Sequence, residues 1–396
     1  MFSDFRNKLN SMPLGAKASV SYAVCSVFQR CLAFITVPLF SRLLTTEQYG
    51  QFTVYQSWMS ILTIFTTLQL AYGSFSTAMV KFEDDRKGYI AAVYNICLLL
   101  NLAFLAIYFP FQDRWNNLFE LPTPLVCLMV AETFVQFVII CWYNARKFDF
   151  KYKQAIFVTV LTSIISPVIT FVFVINSQER GYARIAGAAV FPLVLGTVWF
   201  VQGLIAGKGG LKKKYWKYAF SFNIPLLPYY LSQVIFNQSD RIMISHISGT
   251  DKAGLYNMAY TLGIILQFVL DAINSSYVPW FYGKIKANKG EENKRIATGI
   301  ALLMAFLLLG VIAVAPEIIL IMGGKPYYEA AWAVPPVAMS ILLLFYAQLF
   351  INVEFYFEEK TMLVFGSILA AVLNVVLNAL LIPVWGFVAA AYTTLI

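Results

Sequence analysis

Ser41-Arg-Leu-Leu-Thr-Thr-Glu-Gln-Tyr-Gly-Gln-Phe52 returns 204 residues later as Ser245-His-Ile-Ser-Gly-Thr-Asp-Lys-Ala-Gly-Leu-Tyr256. Ser41/Ser245, Thr46/Thr250 and Gly50/Gly254 are identical, and Glu47/Asp251 and Phe52/Tyr256 are similar. Each copy follows one long apolar run and opens the next. A Thr followed by an acidic residue reads as a helix N-cap with favourable charge at the positive helix end. A weaker match at nearly the same offset pairs Ala186-Gly-Ala-Ala189 with Val388-Ala-Ala-Ala391. Small residues there allow close helix packing. Two matches at one spacing predict a duplicated unit, and internal repeats of this kind mark transporters.

Working outward, the chain is apolar throughout. Hydrophobic residues make up 60% of its 396 positions and charged residues only 12%, about half the share of a soluble domain. The net charge of +9 does not point to nucleic acid, because the basic residues sit in short clusters between apolar runs. A spanning helix needs ~20 mostly apolar residues. Eleven such spans are expected: 18–40, 52–72, 88–109, 125–143, 154–175, 184–206, 219–237, 254–277, 296–316, 331–353 and 361–382. A twelfth begins at Gly386 and is incomplete at Ile396, so the protein is expected to continue. The polar stretch Met1 to Lys17 reads as a cytoplasmic tail and not as a cleavable signal.

With the N-terminus inside, the tail and even-numbered connections hold 21 of the 29 Lys and Arg residues, and the opposite loops hold seven. That asymmetry predicts both termini on the cytoplasmic side. Six spans per copy then predict parallel repeats, 1–207 and 218–396, joined by the basic cytoplasmic linker 208–217. The fold class is thus an all-α membrane protein of twelve transmembrane helices. The cysteines (Cys25, Cys31, Cys97, Cys127, Cys141) read as small buried hydrophobes, with no metal-binding cluster. No GxxxxGK[ST] is present, no cofactor is implied, and no outer loop is large enough for independent enzymology.

Charges inside a bilayer are expensive and are candidates for function. Arg30 lies on a stripe of the first span with Ser26 and Gln29. A guanidinium there suits a pyrophosphate, which it grips bidentately, or forms a structural pair with Glu132 or Asp271. Span seven carries Gln233, Asn237, Asp240 and Arg241 at helical spacing. Adjacent Asp240 and Arg241 bind substrate or ion, cap the helix, or pair across the halves. Arg42 stands near the outer end of span one. Span eight aligns Asn257, Tyr260, Gln267, Asp271 and Asn274 along one face, and Glu132 with Gln136 forms an i, i+4 pair. Glu132 and Asp271 are candidates for proton or Na⁺ coupling, or for bundle salt bridges. Asn374 with Asn378, and Gln348 with Asn352, read as interhelical hydrogen-bonding amides.

The string Pro38 to Gly50, then Ser239-Asp-Arg-Ile-Met-Ile-Ser245 with Ala253 to Tyr256, and Gly386-Phe-Val-Ala-Ala-Ala391 resemble the signatures of bacterial polysaccharide-repeat-unit flippases. Those belong to the multidrug/oligosaccharidyl-lipid/polysaccharide exporter superfamily. The resemblance implies two six-helix bundles around a central cavity in the bacterial inner membrane, alternately open to each side. It implies an undecaprenyl-pyrophosphate-linked oligosaccharide of O-antigen or capsule type as substrate, moved from the cytoplasmic to the periplasmic leaflet. H⁺ or Na⁺ is then the coupling ion, membrane lipids the surroundings, and the polysaccharide polymerase machinery a partner. Asp240 falls on the family's second-half signature, which adds it to the ion-coupling candidates. Arg30, Arg241 and Arg42 become pyrophosphate ligands, and Ser26, Gln29, Gln233, Asn237, Gln267 and Asn274 cavity-lining groups. The alternatives are a multidrug or cation antiporter of the same superfamily, and a membrane polymerase or glycosyltransferase. A cation antiporter would favour carboxylates over arginines.

Overall fold

The computed structural model describes residues 14–149, 151–287, 290–357 and 360–396, all in helices and short connections with no strand among them. Most of the expected tail, residues 1–13, lies outside the described residues. The helices run in chain order as α1 (Leu14–Leu43), α2 (Thr46–Thr67), α3 (Phe75–Lys81), α4 (Arg86–Tyr108), α5 (Gln112–Phe119), α6 (Thr123–Phe148), α7 (Tyr152–Ile175) and α8 (Arg180–Ala206). They continue as α9 (Lys213–Asn223), α10 (Leu227–Ser248), α11 (Thr250–Lys286), α12 (Gly290–Met322), α13 (Val334–Tyr356), α14 (Lys360–Trp385) and α15 (Phe387–Leu395). Nine helices among the described residues are long and apolar enough to cross a membrane, which makes this a multi-pass membrane protein. They coincide with nine of the eleven expected full spans.

The twelve-span expectation is met only in part. Span two forms α2, but Glu47, Gln48, Gln51, Gln56 and a run of Ser and Thr keep it below the apolarity of its neighbours. Span seven is divided into α9 and α10 by a 3-10 segment at Ile224–Leu226, where Pro225 removes a backbone donor, and Pro228 follows in the first turn of α10. Span twelve is α15, nine residues long. The cysteine expectation also divides: Cys25, Cys97 and Cys141 are buried, whereas Cys31 is exposed and Cys127 half-buried.

The chain forms two compact units. One comprises Met1–Leu43 with Trp58–Tyr230, the other Leu44–Ser57 with Leu231–Ile396. In the first unit, α8 packs along α6 and α7, and α1 packs on α7. Buried polar groups pin its helices. Asn101 donates to the carbonyls of Thr66 (3.3 Å) and Cys97 (2.8 Å) and accepts from Thr133 (3.0 Å), tying α4 to α2 and α6. Asn223 donates to Ser74 Oγ (2.7 Å) and accepts from the Ser74 amide (3.2 Å), while Ser74 Oγ meets Tyr89 OH at 2.9 Å. Arg180 donates to the Leu43 carbonyl (3.1 Å), supplying a cation to the C-terminus of α1.

In the second unit the repeated sequences meet each other. The helix cap at the first copy lies one residue earlier than the spacing predicted. Thr45 and Gln48 form a reciprocal capping box, each backbone amide donating 3.2 Å to the other's side chain, and Thr46 enters the helix. At the second copy Gly249, with φ of 106°, takes the cap position and Thr250 Oγ1 turns to Ser245 Oγ (3.1 Å). Glu47 and Asp251 do fall in first turns. The starts of α2 and α11 then cross at backbone distance. A Cβ on Gly50 would overlap the Thr250 carbonyl, and one on Gly254 would stand 2.5 Å from the Thr46 carbonyl and 3.1 Å from the Gly50 nitrogen. Each glycine thus rests on the threonine of the other copy, and the sequence repeat becomes a reciprocal contact. The 3-10 segment Lys325–Ala333 closes over this crossing through Tyr327, whose ring meets Tyr49 edge-on at 5.8 Å, and a Lys252–Glu329 pair at 2.7 Å.

Because the neighbour at Gly50 is main chain, a methyl group there cannot be accommodated by a side-chain rotation. Gly50→Ala is expected to separate the helices and to cost ~2 kcal/mol or more, the upper part of the overpacking range. Gly254→Ala is expected to cost less. Thermal unfolding of the purified variants in detergent checks the ranking, and equal melting temperatures for all three proteins would contradict it.

Candidate functional site

The second unit contains a buried acid and a buried base side by side. Asp240 is 1% exposed and Arg241 6%, both in the interior of α10, so neither caps the helix. A carboxylate out of water needs donors. Asp240 Oδ1 accepts from Asn378 Nδ2 at 2.6 Å, and Oδ2 accepts from Tyr256 OH at 2.6 Å and Thr394 Oγ1 at 3.0 Å. A second layer holds these donors. Asn378 also donates to Asn374 Oδ1 (3.1 Å), which accepts from Ser239 Oγ (3.1 Å), and Thr393 donates to Asn378 Oδ1. Four helices contribute: α10 the acid, α11 the tyrosine, α14 the amides and α15 the threonines.

Arg241 points to different partners. Its Nε donates to Asn257 Oδ1 (3.2 Å) and its NH1 to the Asn237 carbonyl (2.6 Å). The guanidinium lies 4.3 Å from the Tyr260 ring centroid and 5.7 Å from that of Tyr256. Cation–π contact of this kind compensates part of the lost hydration. Tyr256 therefore touches both charges, by hydroxyl to Asp240 and by ring face to Arg241. Asn257 continues to Tyr49 OH at 3.5 Å, which joins the network to the glycine crossing.

Beside this network the second unit encloses a cavity of about 540 Å³. Gln233, Asn237, Tyr260 and Gln267 line one part, and Asn374, Thr393 and Thr394 belong both to the wall and to the Asp240 network. The rest of the lining is apolar, apart from Ser340, and holds no Asp or Glu side chain among the described residues.

The residues singled out from sequence divide between the units. Gln233, Asn237, Asp240 and Arg241 come together on α10, with Asn237 donating to the Gln233 carbonyl (2.7 Å) and Gln233 to Ser367 Oγ (3.1 Å). Gln267 reaches the cavity and donates to Asp271 Oδ1 (3.1 Å), but Asp271 itself is exposed and, like Asn274, lies outside the lining. In the first unit Arg30 is half-buried on α1, with Ser26 and Gln29 exposed beside it, and Gln29 donates to Ser163 Oγ on α7 (3.3 Å). Arg42 is exposed in the last turn of α1. Glu132, 4% exposed, is buried in α6 next to Thr133 of the Asn101 pin. In the sequence Tyr256 stands out only as part of the repeat and the second-half signature, and Thr393 and Thr394 carry no signal. Asn374 and Asn378 had a usable signal, two amides at i, i+4 on an apolar helix, and they do bond across helices as that spacing suggests.

Comparison with known proteins agrees with the membrane fold. The chain is 24% identical over 387 residues to the Lsg locus protein 1 of Haemophilus influenzae, covering 91% of this chain and 89% of that one. It is 23% identical over 383 residues to an uncharacterized membrane protein of the same organism, covering 90% and 88%. In structure it resembles the lipid II flippase MurJ in an inward closed conformation, with a TM-score of 0.73 at 13% identity, covering 95% of this chain and 84% of that one. An inward-facing multidrug resistance MATE family transporter of the MOP superfamily superposes with a TM-score of 0.69 at 12% identity, covering 93% and 90%. A family model described as polysaccharide biosynthesis protein matches residues 16–283, well over half of the sequence. The chain therefore belongs to the polysaccharide biosynthesis protein family and has the helical fold shared by MurJ and the MATE transporters.

Proposed function

We propose that this protein is a flippase for undecaprenyl-pyrophosphate-linked oligosaccharide repeat units of O-antigen or capsule type, working by alternating access and driven by an H⁺ or Na⁺ gradient. Family membership supports a role in building polysaccharide, and the fold supports lipid-linked export. The observation that carries the choice of substrate sign is the second unit's polar interior. Asp240 accepts from three donors, Arg241 rests on an aromatic face, and the adjoining cavity wall holds no Asp or Glu side chain among the described residues. A site for organic cations would need the opposite balance. Arg241 is assigned to the pyrophosphate in the second unit, and Arg30 and Arg42 are separate candidates in the first. Gln233, Asn237 and Gln267 are assigned to the surface of this cavity, which Ser26, Gln29 and Asn274 do not line. On this reading the protein sits in the inner membrane with both termini cytoplasmic. Its halves are 1–207 and 218–396, joined by the basic stretch 208–217, and it delivers repeat units to the polymerase machinery.

Asp240 is the leading coupling group, with Asp271 and Glu132 as further candidates. Its surroundings can serve two states. Asn378 now presents Nδ2 to the carboxylate, and rotation of the amide presents Oδ1 instead. The Tyr256 and Thr394 hydroxyls have lone pairs as well as protons. The cradle that satisfies an empty carboxylate can therefore turn its oxygens toward a small cation, while a proton would make one carboxyl oxygen a donor and leave the other accepting. Because Tyr256 also faces Arg241, occupancy at Asp240 is felt at the substrate-binding base.

Deleting the gene is expected to abolish the surface polymer while lipid-linked repeat units accumulate inside the cell, which lipid extraction measures. Arg30→Ala is expected to stop export at normal protein level and Arg30→Lys to retain part of it; full surface polymer in the alanine strain would remove Arg30 from the site. In proteoliposomes, flipping by the purified protein is expected to speed up under an imposed proton or Na⁺ gradient. Asp240→Asn, which keeps shape and loses the charge, is expected to flip at one rate with or without either gradient. An unchanged gradient response in that variant would move coupling to Asp271 or Glu132.

A further inference from the structure

The basic stretch between the sixth and seventh expected spans is not a loose connection. Helix α9 turns Tyr215, Ala219 and Asn223, spaced four residues apart, into the core of the first unit. Two attachments hold it. At its start Lys212 pairs with Asp85 and Tyr215 OH donates to the same carboxylate at 2.6 Å, while Asp85 also caps α4 through the Gly88 amide (3.0 Å). Burial, and then the carboxylate it donates to, push the Tyr215 hydroxyl up to about 12, so it remains a donor at any physiological pH. At its end Asn223 is locked to Ser74.

The opposite face is thereby fixed outward. Lys213 and Lys217 stand exposed one turn apart, with neither in an ion pair among the described residues, and Lys208 and Lys214 are exposed close by in sequence. Lys214 lies 4.8 Å from the Tyr215 ring centroid. Two apolar side chains flank the lysines with nothing covering them: Leu211, 80% exposed, before the helix, and Ile224, 50% exposed, after it. Trp216, half-buried, donates to the Gly210 carbonyl at 3.4 Å. Basic side chains between apolar pins, on a helix that is neither long nor apolar enough to span, match the membrane–water interface. A solvated connector would need neither Leu211 nor Ile224 exposed.

We propose that the outer face of α9 is a binding surface for anionic phospholipid headgroups, with Lys213 and Lys217 contacting the phosphates and Leu211 and Ile224 entering the acyl boundary. Asp85 has a defined part in this: it neutralises Lys212 and anchors the helix so that the other lysines face the bilayer. Clustered lysines near an anionic surface each add attraction that fades within a Debye length. The inference is independent of which glycolipid is transported.

The test uses the full-length protein in nanodiscs of phosphatidylcholine alone or with phosphatidylglycerol, with no glycolipid present. Thermal unfolding is expected to shift upward with phosphatidylglycerol, and the shift to collapse at about 0.5 M salt, where screening is nearly complete. The Lys213→Gln/Lys217→Gln protein is expected to match the parent in phosphatidylcholine and to lose most of the shift. Leu211→Ser should weaken the preference for phosphatidylglycerol in lipids that co-purify with the protein. No phosphatidylglycerol shift in the parent, or an undiminished, salt-resistant shift in the double variant, would overturn the proposal.

Discussion

Two residues without side chains set the geometry on which the second unit is built. Gly50 and Gly254 let the starts of α2 and α11 approach until each glycine lies against the other copy's threonine carbonyl. In a membrane, where association relies on packing rather than on water exclusion, that closeness is what small residues provide. The neighbours of the crossing are then placed by it. Tyr49 reaches Asn257, Asn257 holds Arg241, and Tyr256 reaches Asp240. A spacer of one methyl at the crossing would therefore be felt at both buried charges.

The pair Asp240 and Arg241 shows how a membrane protein keeps opposite charges adjacent without cancelling them. Successive residues on a helix point about 100° apart, so the two side chains enter different surroundings. One is neutralised by hydroxyls and an amide, the other by an aromatic face and an amide oxygen. Either charge left without partners would cost several kcal/mol, so the donors on α11, α14 and α15 are as necessary as the charges. Tyr256 is the element the two residues share, its hydroxyl donating to Asp240 and its ring facing Arg241, so the charges are held apart rather than joined in a salt bridge.

Hydropathy was enough to read the membrane class and nine spans, because an apolar run of that length has no other stable environment. α2 and the α9–α10 segment fall below that apolarity because they carry polar residues that serve interior networks, such as Asn223 with Ser74. Thr46 and Glu47 form the more familiar capping pattern, and only the reciprocal bond with Gln48 distinguishes Thr45 as the cap. Asp271 and Asp240 looked alike as intramembrane acids, yet one is exposed and the other 1% exposed.

By itself the sequence determined that this chain is a helical membrane protein, that two of its segments are copies, and that specific charges lie within apolar spans. Those are local or periodic properties, and they follow from how much of each segment can leave water. Only the tertiary structure decided that the copies touch, that Asp240 finds Asn378 138 residues away, and that two threonines in the small-residue run of α15 complete its shell. Satisfying a buried charge depends on donors from helices distant in the chain, and no spacing along one helix carries that information.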